Sequence, residues 1–559
     1  MQDEDALREV AKDCVHCGFC LPACPTYQLW AEEMDSPRGR IYLVNQLLDG
    51  AELTAAAAEH FDRCLGCMAC MTACPSGVQY DQLIEAARVW TEEARSSGPA
   101  PVADAAAAEA LADGAPAGGK RPVRDRIARA AIFSLFPYPR RLRAMTAPLR
   151  VAQRTGLDRR LARSRLPARV SPVLGAALRL APPSVSAAAA RPLPERVPAL
   201  GTRRAVVGML TGCVQSVFFP RVNAATARVL AAEGCDVIIP RGQGCCGALS
   251  LHSGREAEAS AFARRMIATF EQAGVDAVVV NSAGCGSAMK EYERLLHGAD
   301  GGWAERAAEM SGKVRDLAEF LVELGPTAPR HPLPVTAAYH DACHLAHAQR
   351  ITRQPRELLR AIPGLTLVEV PDAGTCCGSA GVYNLLQPAA ASELGARKAE
   401  SVQSTGAPLL ISANPGCSLQ IAFALAERGQ DIAVAHTAEV LDASIRGRPL
   451  TIGTTSPGPR KGGVGRLPRY HKCMTNAMTI RLNEETAREL TELAERHRSR
   501  SAAVQDAIHR AWQQLQADKL DAGYAAAVAE NPHYPYESAE EAAVLRERRR
   551  IRQERDRLA

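Results

Sequence analysis

The sequence predicts an α/β protein overall. It has a small α-helical module at the N-terminus, a duplicated α/β unit in the middle and a short strand–helix–helix segment near the C-terminus. Three observations carry this. The pattern C-x2-C-x2-C-x3-C-P occurs twice within the first 75 residues. Four cysteine positions recur in register about 130 residues apart. From Met478, three alternating apolar residues lead into two amphipathic runs.

At 559 residues the chain is too long for one core, so several domains are expected. A hydrophobic share of 47%, a charged share of 23% and a net charge of +6 are ordinary for a globular protein. No run approaches the roughly 18–20 apolar residues of a membrane span. The N-terminal "MQDEDALREV" is acidic and has no apolar stretch, so no secretory signal is expected. A cytoplasmic location follows, where thiols stay reduced and structural disulfides are rare. Eighteen cysteines there point to metal binding.

The first module spans residues 1–92. It contains "CVHCGFCLPACP" from Cys14 and "CLGCMACMTACP" from Cys64. Three thiolates at i, i+3 and i+6 wrap one corner of an iron–sulfur cubane. The fourth, followed by a helix-breaking proline, reaches the other cluster. This predicts two [4Fe–4S] clusters, one on Cys14, Cys17, Cys20 and Cys74, the other on Cys64, Cys67, Cys70 and Cys24. A lone C-x2-C is equally a zinc spacing; two complete copies select iron–sulfur. Between the motifs, "SPRGRIYLVNQLLDG" reads as a helix opening at Ser36–Pro37 and stopping at Gly50. The module is therefore a helical ferredoxin-type domain. Arg38 and Arg40 either stabilise cluster charge or form surface salt bridges.

The repeat occupies residues 204–330 and 331–446. Its first copy carries Cys213, Cys245, Cys246 and Cys285, its second Cys343, Cys376, Cys377 and Cys417, at offsets of 130 to 132 residues. In each copy a β-rich run precedes the first cysteine ("RAVVGMLTGC", "PVTAAYHDAC"). A helical run then leads to a second strand ("CDVIIP", "LTLVEVP") and the Cys-Cys-Gly. A third strand ("DAVVVNSAGC", "APLLISANPGC") ends at the last cysteine. Cysteines at strand ends suit the ligand crevice of an open α/β sheet. "RGQGCCG" satisfies G-x-G-x-x-G, but "GTCCGSAG" in the second copy does not. The duplication preserved sulfur, not a phosphate cradle, and the glycines are expected to let the backbone fold closely around a cluster. His340, His344 and His347 flank Cys343 as candidate ligands or proton donors. Cys235 reads as core, and Cys473 lies in a linker.

Residues 1 to about 446 resemble the iron–sulfur subunit of bacterial glycolate oxidase, through "CVHCGFC", "SPRGRIYLV", "CPSGVQY", "GCCGA", "AGCG", "CCGSAG" and "ANPGC". The resemblance implies two N-terminal [4Fe–4S] clusters followed by two cysteine-rich CCG domains. It further implies an electron relay: flavoprotein partner subunits holding FAD oxidise glycolate to glyoxylate, and the clusters pass electrons to a quinone or other membrane acceptor. Related CCG proteins serve lactate, glycerol-3-phosphate and heterodisulfide redox enzymes, the alternative functions. The CCG pattern ends in C-x-x-C, but Ala288 and Gln420 stand at its last position here. A further iron–sulfur cluster in each repeat is then a cubane on four thiolates or a partly open cluster. Hydride removal from a 2-hydroxy acid suits a flavin, and this chain has no flavin fingerprint, so substrate oxidation is expected on a partner chain.

Residues 93–203 read as an Ala/Pro-rich and then basic linker with amphipathic helices. Lys120 to Val170 hold fifteen Lys or Arg against two acidic residues. This is a solvated basic face, or a dock for an acidic partner or the inner face of the membrane through "AIFSLFPYPRRLRAM". A linker over 447–473 leads to 474–516, which resembles a ribbon-helix-helix antitoxin-type domain, and a charged tail over 517–559. The resemblance implies DNA contact through Thr479, Arg481 and Asn483, with Ser501 at a phosphate. The other readings are a small dimerisation element or a fused neighbouring reading frame starting at Met474 or Met478.

Overall fold

A computed structural model describes residues 4–97, 121–155, 171–181, 193–450 and 491–492. The chain divides into two compact units, Met1–Cys14 with Gly18–Pro459, and Val15–Cys17 with Arg460–Ala559. Thr479, Arg481, Asn483 and Ser501, the residues of the expected ribbon-helix-helix segment, lie outside the described residues.

The N-terminal module is helical: Glu4–Lys12, Pro25–Trp30, Pro37–Leu48, Ala55–Arg63, Ala69–Ala73 and Tyr80–Ser97. The expected helix after Ser36 forms. The Ser36 hydroxyl accepts from the Gly39 N–H at 3.0 Å, Pro37 takes the first helical position, and the chain leaves the helix after Leu48. Ile41, Val44, Phe61, Leu83, Ile84 and Ala87 form its core.

Each repeat builds a parallel sheet. The first contains β1 (Arg196–Val197), β2 (Ala205–Met209), β3 (Cys235–Ile238), β4 (Ala277–Val280) and β5 (Val314–Asp316), in the order β1-β3-β2-β4-β5. Only β1 runs antiparallel. The second contains β6 (Val335–His340), β7 (Leu365–Glu369), β8 (Leu409–Ser412) and β9 (Ala433–Ala435), in the order β7-β6-β8-β9. Matching β2–β5 with β6–β9 gives one topology twice. The six strands expected from apolar runs are present. The fourth strand of each copy was not anticipated, because three residues are too few to show a pattern.

Both sheets reverse their strand order at the first strand, so β2/β4 and β6/β8 are switch points with a crevice beyond their carboxyl ends. The repeats share a core that includes Val207, Val237 and Val279 from one sheet, Tyr339 and Ile411 from the other, and Leu358 and Val440 from the helices Arg353–Arg360 and Thr437–Ile445. Arg228 donates to both carboxylate oxygens of Asp442 at 2.8 and 2.6 Å, joining the copies.

Helices Val123–Leu135, Pro139–Thr155 and Pro172–Leu180 cover part of this body. Ile132 and Phe133, from the stretch expected to face a partner or lipid, instead pack inward with Ala176, Val382 and Leu385. Arg121 is paired with Asp62 at 2.9 Å and Glu92 at 3.0 Å, so part of the basic charge is used within the chain. No helix among the described residues is long and apolar enough to cross a membrane.

Candidate metal centres

The first repeat brings its four cysteines together at the carboxyl ends of β2, β3 and β4. Cys213 opens the helix Cys213–Phe218 after β2, Cys245 and Cys246 lie on the loop after β3, and Cys285 sits in the helix Ala283–Lys290 after β4. The Cys213 and Cys245 sulfurs are 3.7 Å apart, and Cys246 contacts Cys245 and Cys285 through its thiol. Hydrogen bonds from Cys245 and Cys285 hold Cys246 well below the usual thiol range. Those with Cys213 and Cys246, together with burial, hold Cys245 well above it. Four touching thiols cannot all ionise without a cation among them. The Gly247 N–H points to the Cys245 sulfur at 3.4 Å.

The second repeat repeats the arrangement. Cys343 follows β6, Cys376 and Cys377 follow β7, and Cys417 lies in the helix Pro415–Glu427 after β8. Thiol contacts run from Cys343 to Cys376, from Cys376 to Cys377 and from Cys377 to Cys417. Gly378 N–H and the Asn414 amide donate to the sulfurs of Cys376 and Cys417 at 3.4 and 3.3 Å.

Gly247 and Gly378 stand at φ of +88° and +86°. A Cβ on them would lie 3.1 Å from the Ala259 carbonyl oxygen and 2.7 Å from that of Ala391. Their close approach is therefore to the helices Glu256–Ala273 and Pro388–Ser404, not to the sulfur pocket as expected from sequence. The left-handed turn they permit is what presents two adjacent cysteines to one pocket.

In the N-terminal module Cys24, Cys64, Cys67 and Cys70 line one cavity with Arg40 and Tyr80. This is the crossed set expected from sequence, with the last cysteine of the first motif beside the first three of the second. Arg40 is fully buried. Its guanidinium donates to the His60 carbonyl at 2.7 Å, Thr26 Oγ1 at 3.1 Å and Asp35 at 3.2 Å. Burial pushes the Cys64 thiol up, but the charges of Arg40 and Arg88, the Gly66 N–H and the Tyr80 hydroxyl outweigh it and leave it below the ordinary range. Burial and the neighbouring Cys67 push Cys70 well above it. Arg38 is paired with Glu33 at 2.6 Å. Cys14, Cys20 and Cys74 border the module's core. Cys17 is half-buried and lies in the second unit.

The donor set fits iron–sulfur clusters. Soft thiolates converge in buried pockets, N–H groups point at sulfur, and buried guanidinium charge faces the cysteines. His347 is held by Thr72 Oγ1 and the Gly374 carbonyl, each at 2.9 Å, which occupies both ring nitrogens. His344 Nδ1 lies 3.6 Å from the Cys343 sulfur. Cys235 is buried core, as expected. Sequence reasoning missed Tyr80, Arg88 and Lys398. Lys398 is buried beside Cys376, Cys377 and Cys417, at the position where the first repeat has Met266.

Family descriptions match along the chain: "4Fe-4S dicluster domain" over residues 10–78 and "Glycolate oxidase iron-sulfur subunit, linker region" over 124–181. "Cysteine-rich domain" matches 207–290 and 337–422, and "MazE1 antitoxin family" matches 486–556. The probable glycolate oxidase iron–sulfur subunit of Bacillus subtilis is 35% identical over 439 residues, covering 77% of this chain and 93% of that one. The glycolate oxidase iron–sulfur subunit of Escherichia coli is 36% identical over 422 residues, covering 74% and 90%. Lactate utilization protein A of Exiguobacterium is 33% identical over 241 residues, covering 43% and 98%.

Proposed function

This chain belongs to the family of glycolate oxidase iron–sulfur subunits, an electron-transfer subunit of an oxidoreductase complex, and we propose that it relays electrons from glycolate-oxidising flavoprotein partners to a quinone-type acceptor. The observation that supports this most is the continuity of the cysteine sites. Cys67 of the N-terminal module is buried with Cys343 and Cys376 of the second repeat in one apolar cluster. Iron–sulfur clusters supply one-electron steps, which a two-electron flavin needs in order to feed a chain of single carriers. The residues of this chain hold those sites, exclude water and set their charge.

The proposed ligand sets are Cys14, Cys17, Cys20 and Cys74; Cys64, Cys67, Cys70 and Cys24; Cys213, Cys245, Cys246 and Cys285; and Cys343, Cys376, Cys377 and Cys417. The remaining exposed basic residues of the 121–155 segment are the proposed contact with a partner or the inner face of the membrane.

Anaerobic isolation of the tagged chain from its source cell tests the reading. Co-purification of flavin-containing chains with glycolate-dependent dye reduction is expected. A lone chain without glycolate activity would refute it. For the C-terminal segment, the antitoxin match supports a second reading, DNA binding. Residues Thr479, Arg481 and Asn483 precede the matched span and Ser501 lies within it. Salt-sensitive duplex binding lost on deleting 474–559 is its test.

A further inference from the structure

The two cysteine-rich repeats are not equivalent around their thiols. His340 ends β6 three residues before Cys343, where the first repeat has Leu210 three residues before Cys213. His340 is 1% exposed, and neither ring nitrogen has a hydrogen-bond partner. An imidazole so enclosed forfeits its hydration with nothing in return, so an unpartnered one requires an explanation. A ring nitrogen of His340 and the sulfurs of Cys377 and Cys417 all lie within 4.8 Å of one another. That spacing suits three ligands on one metal atom, with bonds of about 2.0–2.1 Å to nitrogen and 2.3 Å to sulfur.

We propose that His340 is a ligand of the second repeat's iron–sulfur centre, sharing one iron with Cys377 and Cys417. This rests on the reading of that repeat as a cluster site. The position completes what the sequence lacks. Gln420 replaces the last cysteine of the usual pattern, and its side chain is committed elsewhere, donating to the Ala391 carbonyl at 2.8 Å and accepting from Asn384 at 3.1 Å. Ser412, opposite His340 in the β6/β8 register, is also buried without a side-chain partner. Lys398 adds a buried amino group beside the same sulfurs, held by the carbonyls of Asp372 at 2.8 Å and Ala373 at 3.4 Å. The first repeat has only Leu210 and Met266 in these places. Replacing thiolate by imidazole on an iron raises a cluster's potential. The second repeat is thus the more oxidising of the two, and the electron sink among them.

Pulsed electron paramagnetic resonance of the reduced, full-length chain in its complex, labelled with 15N-histidine, tests this. The expected result is an isotope-sensitive coupling of the size seen for directly bonded nitrogen. It should be lost in His340→Leu and absent from the spectrum of the first repeat's centre. In His340→Cys, iron content is retained and the midpoint potential of that centre falls. Directly bonded nitrogen coupling that is absent from the wild type, while Cys376→Ser removes iron, overturns His340 ligation and leaves the cluster site standing. If neither Cys376→Ser nor Cys377→Ser changes iron content, the cluster reading fails, and the ligation fails with it.

Discussion

Cys67 of the N-terminal module and Cys343 of the second repeat are buried in one apolar cluster, together with Leu65, Ala69, Cys376, Tyr383 and Leu394. Residues far apart in sequence are thereby joined by a dry, packed contact, and this fixes which repeat adjoins the module's second cysteine set. Paramagnetic centres so placed should couple. The reduced protein is expected to show spin–spin broadening of the N-terminal signals that disappears in Cys376→Ser, while the N-terminal clusters persist. Unchanged N-terminal line shapes in that variant would break the proposed route.

The crossed arrangement in the module makes a separate prediction. Cys24 lines a cavity with Cys64, Cys67 and Cys70, not with the rest of its own motif. Cys24→Ser and Cys64→Ser should therefore remove the same spectral component. Cys74→Ser and Cys14→Ser should remove the other, each variant losing up to about four irons per chain. If Cys24→Ser matched Cys14→Ser instead, uncrossed ligation would be established.

Much of this was legible in the sequence, for a physical reason. Metal sites need sulfur at fixed spacing, and buried parallel strands need unbroken apolar runs, so both leave a signature in the residue order. The contact of Cys67 with Cys343 leaves none, because it depends on how two folded bodies meet. Arg40 could not be told from a surface arginine until it was seen, with His60 and Arg63, to enclose the buried carboxylate of Asp35, with contacts of 3.2, 2.9 and 3.0 Å. Lys398 sits in a run, "ELGARKAESV", whose charges read as solvated. Only the matched Met266 in the other copy marks its position as an inward one.

Glu85 ties the N-terminal module to the first repeat. It is 2% exposed and meets Arg294 at 2.7 Å. Burial alone would raise its pKa, but Arg294, with His252, holds it at about 2. A carboxylate with a depressed folded pKa contributes stability that is fully present above its unfolded value, near 4.3, and lost as pH falls toward the folded value. Its share is on the order of 2–3 kcal/mol. The Glu85→Gln chain should thus be less stable than wild type at pH 7, and the gap should close as pH falls from about 5 toward 2. Urea midpoints measured in parallel at each pH check this, since acid damage to the clusters is common to both proteins. A gap independent of pH would remove the Arg294 pairing as its cause.

The paired glycines after each Cys-Cys offer a graded test of the turn that presents the thiols. Both have positive φ, which costs a non-glycine residue about 1–2 kcal/mol. At Gly247 a Cβ would meet the Ala259 carbonyl oxygen at 3.1 Å, a gap that a small shift of the helix relieves. At Gly378 it would stand 2.7 Å from the Ala391 carbonyl oxygen and 3.1 Å from the Ala391 Cα, both backbone atoms, so the helix or the loop must move. Overpacking of that kind adds about 1–3 kcal/mol. Gly378→Ala is therefore expected to destabilise by about 2–5 kcal/mol and Gly247→Ala by about 1–2 kcal/mol. Because the displaced loop carries Cys376 and Cys377, Gly378→Ala should also lower the iron bound by the second repeat, whereas Gly247→Ala should leave that iron in place. Equal unfolding midpoints for the two variants would show that the helix yields as easily in one copy as in the other. The close approach of the loop to Ala391 would then not be what holds the second pair of cysteines in position.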